Sequence, residues 1–368
     1  MLEVAGTHAI QFRDTALETI WAKVQAGERL DAGDGLVCLG TSDLLGLGRI
    51  ADWAARRVSG EHVFFTLNVH INPTNICVLS CRFCDFAAKT GDEHAYEHSV
   101  EQILGQIHPE VHEVHIVGGH HPTIEFEWYE NLLRTIKRER PGVQIKAFTA
   151  AEIDYFHKRW KLDDSEILHR LLEAGLNSMP GGGAEVFSER VRRALFAGKA
   201  GADRWFEIHR LAHRLGIPSN ATMLYGHIET HEERVDHLVR LREEQDVSRG
   251  FMCFIPLHYQ VGTTQLVPRH ATPVDDLRTL ATARLMLDNF PHIKAYWVMS
   301  GEETASIGLN FGADDLDGTI GEERIAHSAQ AASPVGLERD RLLRLIRSAG
   351  KIPVERNATY EIRRVHAA

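Results

Sequence analysis

No run of about 18 apolar residues occurs anywhere in the chain, which argues against a membrane-spanning helix. Blocks of like charge are also missing. The formal charge is -10 over 368 residues, with Lys, Arg, Asp and Glu interspersed. That distribution excludes a polyanion-binding surface and fits a solvated exterior. The first residues, "MLEVAGTHAIQFRD", lack a basic stretch followed by an apolar one, so no secretory signal is read there. Internal repeats and low-complexity tracts are absent too. Cysteine is scarce: five in all, of which Cys77, Cys81 and Cys84 fall within eight residues. An odd, clustered set does not build a disulfide framework; it fits a metal site in a reducing, cytoplasmic setting.

What is present is alternation. From about residue 63, eight apolar or β-branched runs ("VFFTLNVHI", "VHEVHIVGG", "VQIKAFTA", "GLNSMPGGG", "IPSNATMLYG", "GFMCFIPLHY", "IKAYWVM", "ASIGLNFGADD") alternate with helical patterns. Trp205, Ile208, Leu211, Ala212 and Leu215 keep a three/four spacing, as do Ile167, Leu168, Leu171 and Leu172. Ser99 with Gln102 reads as a capping box, and Thr272 before Pro273 as an N-cap. Eight strand–helix units over about 270 residues match an α/β fold of the (β/α)8 type; a doubly wound sheet is the competing arrangement. Residues 1–62 read as a helical N-terminal extension, 63–325 as the barrel and 326–368 as a C-terminal tail packed on it.

In such a barrel the chemistry sits at the C-terminal strand ends. The unusual residues fall there. The cysteines follow the first strand; Gly118, Gly119, His120 and His121 follow the second; Thr149 to Glu152 follow the third. Pro180 to Glu185 follow the fourth, Gly226 to Glu229 the fifth, Pro256 to His258 the sixth, and Asp314, Asp315 and Asp317 the eighth. Three thiolates spaced C-x3-C-x2-C suit zinc or an iron–sulfur cluster. Zinc requires a fourth ligand, for which His70, His94 and His98 are available. A cubane held by three cysteines instead leaves one iron open.

The remaining features each carry two readings. Glu185 and Glu229 follow glycine turns, where a carboxylate can accept bonds from ribose hydroxyls or cap a helix. Gly181 to Gly183 are not followed by Gly-Lys-Ser/Thr, which excludes a P-loop; they would let the backbone approach a nucleoside. The aspartates 314, 315 and 317 read as a turn shaping a pocket, with a divalent-metal site as the alternative. "HEERVDH", with histidines six apart, lacks the zinc-protease spacing and reads as a solvated helix. Cys38 and Cys253 read as small buried hydrophobes.

C-x3-C-x-aromatic-C, with Phe83 as the aromatic, resembles the cluster motif of the radical S-adenosylmethionine superfamily. Gly118 and Gly119 resemble its glycine motif after the second strand, and "MLYGHIE", with Gly226 and Glu229, its fifth-strand motif near the adenine. Across residues 65–325, "INPTNICVLSCRFCDF", "VHIVGGHHP", "IKAFTAAEIDYF", "SMPGGGAEVF", "GIPSNATMLYGHIET" and "FGADDLDGT" resemble the futalosine-pathway branch, above all the aminofutalosine synthase family. Asp85 departs from the small residue expected after the last cysteine.

The resemblance implies a [4Fe-4S] cluster on Cys77, Cys81 and Cys84, with S-adenosylmethionine as co-substrate near Phe83, Gly118, Gly119, Glu185, Gly226 and Glu229. It implies that the 5′-deoxyadenosyl radical adds to 3-[(1-carboxyvinyl)oxy]benzoate, giving aminofutalosine, methionine and bicarbonate in menaquinone biosynthesis. An external one-electron donor is the implied partner. The dehypoxanthine futalosine cyclase and FO synthase families are the neighbouring readings, and a zinc-stabilised binding protein the reading from another class. Two substrate carboxylates call for cationic or hydrogen-bonding groups, for which Lys146, His120, His121, His227, His258 and Arg210 are the candidates.

Overall fold

The computed structural model describes residues 11–367. Among them lie eleven strands: β1 His62–Phe65, β2 Asn68–Ile71, β3 Glu113–Ile116, β4 Gln144–Ala147, β5 Leu176–Ser178, β6 Ser219–Tyr225, β7 Phe251–His258, β8 His292–Ala295, β9 Asp315–Leu316, β10 Ile352–Arg356 and β11 Ile362–Val365. Strands β2 to β5 form one parallel run and β6 to β9 another. Two isolated parallel bridges join the runs, Met179 to Ser219 and Asn68 to Thr319. The eight strands β2 to β9 thereby close into a (β/α)8 barrel.

The helices follow from the apolar spacing. The helix Phe126–Glu139 buries Phe126, Tyr129, Leu132, Leu133 and Ile136, one stripe at three/four spacing. Helix Asp164–Ala174 buries Ile167, Leu168 and Leu171, while Leu172 stays exposed. Helix Ala202–Arg214 buries Trp205, Ile208 and Ala212. The capping box at Ser99 and Gln102 is formed, and Thr272 caps a helix that starts at Pro273. Three helices, Ala16–Ala26, Ala32–Gly40 and Leu44–Ser59, precede the strands and pack outside the barrel. Among the described residues no helix is long and apolar enough to cross a membrane.

Three expectations are corrected. The first run, "VFFTLNVHI", is two strands. Only β2 belongs to the barrel, whereas β1 pairs with β10 in parallel and touches β9 at Phe64 and Asp315. The C-terminal segment therefore adds strands to a sheet as well as packing on the barrel, with β11 antiparallel to β10. The eighth run starts in the helix Glu302–Gly308 and continues as a turn, and only its last residue, Asp315, enters the two-residue strand β9. An apolar stretch of this length does not distinguish a buried helix from a buried strand. Finally, "HEERVDH" opens the helix His231–Ser248, but His237 is fully buried. It stacks on Phe187 with ring centroids 4.1 Å apart, and one ring nitrogen lies 3.0 Å from the Thr222 carbonyl.

Candidate active site

A single cavity at the C-terminal ends of the strands gathers residues from every barrel strand or the loop behind it. At its rim lies the cysteine loop. The Cys77 amide donates to the Ala88 carbonyl at 2.9 Å and the Ala88 amide to Asn75 at 2.8 Å. Val78 donates to the His120 carbonyl and Arg82 to that of Leu195. The Lys89 ammonium closes the loop from outside, donating to the carbonyls of Cys77 and Leu79 at 2.8 and 2.5 Å. With its backbone groups paired this way, the loop presents three free thiols to the cavity. Burial pushes the Cys81 thiol up to about 11 and raises that of Cys84, with Lys199 working in the opposite direction. A ligand that binds thiolate must therefore compensate for desolvation. Asp85 anchors the loop to the opposite side of the mouth, accepting from the Thr263 amide at 3.0 Å and from its hydroxyl.

Gly118 and Gly119 line the cavity against this loop. A Cβ at Gly119 would stand 2.2 Å from the Ile76 carbonyl oxygen, so only glycine allows the contact. The Gly119 amide donates to Thr74 at 2.9 Å, and the Gly118 amide to Glu152 at 3.2 Å. Gly181 to Gly183 also line the cavity, but a Cβ at Gly181 would meet the Ala221 backbone at 2.6 Å. Close packing on β6, not approach to a nucleoside, is what excludes a side chain at Gly181.

Glu185 and Lys199 form the third part of the rim, with a 2.6 Å bond between them. Glu185 has φ +46°, a left-handed conformation that costs a non-glycine residue free energy. Burial opposes the Lys199 charge, but Glu185 and the neighbouring thiols hold its pKa above the usual lysine range. The same ammonium lies 5.1 Å from the centre of the Phe83 ring, which packs edge-on against Phe196. Val191, Leu195 and Phe196 form a small apolar roof over Cys81 and Phe83.

Gly226 and Glu229 do not line this cavity. The Glu229 carboxylate is fully buried and accepts from the amides of Gly226 and His227 at 2.6 and 2.9 Å, with the Arg234 guanidinium 2.5 Å away. Burial works against its charge, yet His227 and Arg234 hold its pKa down at about 2. The pair builds the turn after β6. The acceptor sites of Glu229 are occupied within the protein.

Of the carboxylate-binding candidates, Lys146 and His120 line the cavity. His120 stacks on Tyr155 with centroids 4.8 Å apart, and burial lowers its pKa to about 3. His121 is paired with Glu97, His258 with Asp276 and Arg210 with Glu244, all outside the lining; His227 is part of the Glu229 turn. Sequence reasoning gave no lining role to His70, His115, Lys294 and Lys199, reading His70 only as a possible zinc ligand, and placed Glu152 at a strand end without assigning it a role. The alternating strand pattern could have placed the first three facing inward, since polar residues at interior barrel positions are unusual. Nothing in the local sequence marks Lys199.

Asp314, Asp315 and Asp317, read from the sequence as a turn shaping a pocket, lie at and beside the strand β9. All are buried and matched by bases: Asp314 by Arg284 at 2.6 Å, Asp315 by Arg356 at 2.7 Å, and Asp317 by Lys294 at 3.0 Å. Only Asp317 reaches the cavity. Among the described residues, no three His, Cys, Asp or Glu side chains converge on a point suited to a single metal ion. A structural zinc site needs such convergence, whereas an iron–sulfur cubane spreads its cysteines around several iron atoms. The donor set of three thiols in one braced loop fits the cluster. Cys38 and Cys253 lie in the core, where burial pushes both thiols up to about 12.

Comparison with known proteins agrees with this geometry. Residues 71–241 match the Radical SAM superfamily model, and residues 248–368 match the CofH/MqnC C-terminal region. The chain is 48% identical over 362 residues to the aminodeoxyfutalosine synthase of Thermus thermophilus, covering 96% of this chain and 97% of that one. It is 42% identical over 358 residues to the aminodeoxyfutalosine synthase of Streptomyces coelicolor, covering 93% and 92%. The cyclic dehypoxanthine futalosine synthase of the same organism is 36% identical over 95% of this chain and 90% of its own. Among solved structures, methylornithine synthase (PylB) superposes with a TM-score of 0.73 at 19% identity over 91% of this chain and 97% of that one, a likeness of fold. The chain belongs to the radical SAM superfamily, in the branch that carries the CofH/MqnC C-terminal region.

Proposed function

We propose that this protein is an aminofutalosine synthase, joining the 5′-deoxyadenosyl group of S-adenosylmethionine to 3-[(1-carboxyvinyl)oxy]benzoate, with release of methionine and bicarbonate. Similarity along nearly the whole chain to two aminodeoxyfutalosine synthases carries the reading, at 48% and 42% identity against 36% for the cyclase relative. The cavity is compatible with it, because Lys146, Lys199 and Lys294 line it and each ammonium keeps donors beyond its bond to an acid.

In this reading Cys77, Cys81 and Cys84 hold a [4Fe-4S] cluster, which when bound supplies the electron that cleaves S-adenosylmethionine. The protein's own residues do the positioning. The Lys89 and Asp85 contacts fix the loop, Gly118 and Gly119 offer backbone at its edge, and Glu185 with Lys199 presents a paired charge beside Phe83. Such fixed groups hold the reactants together without reorganising during the reaction. The apolar cluster of Val191, Leu195 and Phe196 backs Cys81 and Phe83 and shields that side of the loop from water. An oxygen-sensitive cluster also fits a reducing, cytoplasmic setting with an external one-electron donor.

The test is an anaerobic assay of the reconstituted protein with reductant, S-adenosylmethionine and the enolpyruvyl benzoate, read by mass spectrometry. Aminofutalosine is the expected product. Formation of 5′-deoxyadenosine without any adenosylated product would reject the assignment in favour of hydrogen abstraction from another substrate.

A further inference from the structure

The deep wall of the cavity is polar where barrels of this type are usually filled by branched aliphatic side chains. In the parallel registers, His70 on β2 pairs with His115 on β3, and His115 with Lys146 on β4. Lys146 is in turn matched with Ser178 on β5. In-register residues of neighbouring strands point to the same side, so these four form one layer. The His70 and His115 rings are 4.6 Å apart. Lys294 on β8 also lines the cavity and is 1% exposed.

Much of this layer is already neutralised. Lys146 donates to Glu113 at 2.5 Å, while Lys294 lies 3.0 Å from Asp317 and 3.2 Å from Asp315. An ammonium has three N–H groups, so Lys146 retains donors beyond its bond to Glu113. Among the described residues, two buried atoms of the cavity lining have no partner: His115 Nε2 and Asn220 Oδ1. A buried polar group without a partner costs about 1–3 kcal/mol, so its persistence in a cavity points to a ligand that completes it.

Orientation follows from the reaction assigned above, on which this inference rests. The enolpyruvyl carbon that is attacked must face the cysteine loop at the rim. The ring carboxylate is at the opposite end of that substrate and must point down the barrel. His115 precedes Gly118 by three residues, roughly 10 Å of strand at about 3.3 Å per residue. We propose that this layer seats the ring carboxylate of the substrate, with Lys146 and His115 Nε2 donating hydrogen bonds to it. These are positioning residues: they set which carbon of the substrate meets the rim.

The proposal is tested by pairing two substrates with variants of the reconstituted holoenzyme. One substrate is the enolpyruvyl benzoate; the other is 2-phenoxyacrylate, the same molecule without the ring carboxylate. The variant K146Q/E113Q removes the cation and its buried counter-charge together. It is expected to raise KM for the benzoate about 10- to 100-fold, the effect of losing a charge-assisted bond. KM for phenoxyacrylate, which lacks the ring carboxylate, should stay within about threefold. The wild-type preference for the benzoate therefore collapses in the variant. An equal loss for both substrates, or an unchanged preference, overturns the proposal. H115Q alters no formal charge pair and carries the same comparison should the double variant not fold. If the wild-type protein cleaves S-adenosylmethionine but adenosylates neither substrate, the functional assignment itself fails and this inference with it.

Discussion

The rim and the deep wall of the cavity are built by different means. The rim is largely backbone: the cysteine loop is held by amides and carbonyls of residues 74–88, 120 and 195 and by a glycine contact that admits no Cβ, with the Lys89 and Asp85 side chains as outer ties. The deep wall is side chain: His70, His115, Lys146 and Lys294 project from strands into a network of buried acids and bases. A loop fixed by its own backbone can hold a cofactor in one place whatever its side chains are, provided the ligands are present. A wall of single side chains can be changed one position at a time, which suits it to choosing the substrate.

The comparison breaks most completely at the cysteines. Replacing Cys77, Cys81 or Cys84 singly with Ala is expected to reduce S-adenosylmethionine cleavage to background, with little change in the thermal midpoint of the cluster-free protein. Iron and sulfide content, turnover and calorimetry check it together. Retained turnover in a cysteine variant with confirmed cluster loading would contradict the ligand assignment. A change in the deep wall should do the reverse. K294M leaves Asp315 and Asp317 buried without their common partner and is expected to lower stability by about 3–5 kcal/mol. Chemical denaturation measures that loss; a cost under 1 kcal/mol would show that water already reaches the network.

G119A sharpens the contrast from the rim side. Its new Cβ would collide with the Ile76 carbonyl oxygen, so either the Gly118 loop or the cysteine loop must move. Overpacking of this kind costs about 1–3 kcal/mol. Cluster loading should fall with it, because the displaced backbone carries the ligands. A G119A protein that loads its cluster normally would show the loop to be more compliant than its hydrogen bonds imply.

The same division explains what could be read from the sequence. The rim was legible because its parts are contiguous: three cysteines in eight residues, paired glycines, and strand ends at regular intervals. Eight alternating units also made the barrel legible, apart from the short β9 and the split of β1 from β2. The deep wall was not, because His70, His115 and Lys146 are separated by 45 and 31 residues and come together only through strand register. Histidine and lysine at single positions carry no signal until the direction of each strand is known. Gly226 and Glu229 are the opposite case. A motif placed them near a ligand, while Arg234 and His227 tie them into a turn.

Glu152 joins the two regions, and its titration gives the finest test. It accepts from the Gly118 amide at the rim and from the Thr149 amide at 2.7 Å, yet it is buried in the cavity wall. Burial raises its pKa to about 7 from 4.5, against the pull of those amide bonds. A carboxyl whose pKa is raised on folding binds its proton more tightly in the folded state. Its contribution to stability is therefore complete below about pH 4.5 and is lost as pH rises toward and through 7. Across that window the loss is about 2 kcal/mol once access of water through the cavity is allowed for. E152Q keeps an acceptor for the Gly118 amide and cannot ionise. The difference in stability between the wild-type protein and E152Q should thus shift in favour of the variant as pH goes from 5 to 8. Parallel pH profiles for the two proteins would mean that Glu152 is ionised throughout, its amide bonds outweighing its burial, and that the rim holds a fixed negative charge beside the glycine loop.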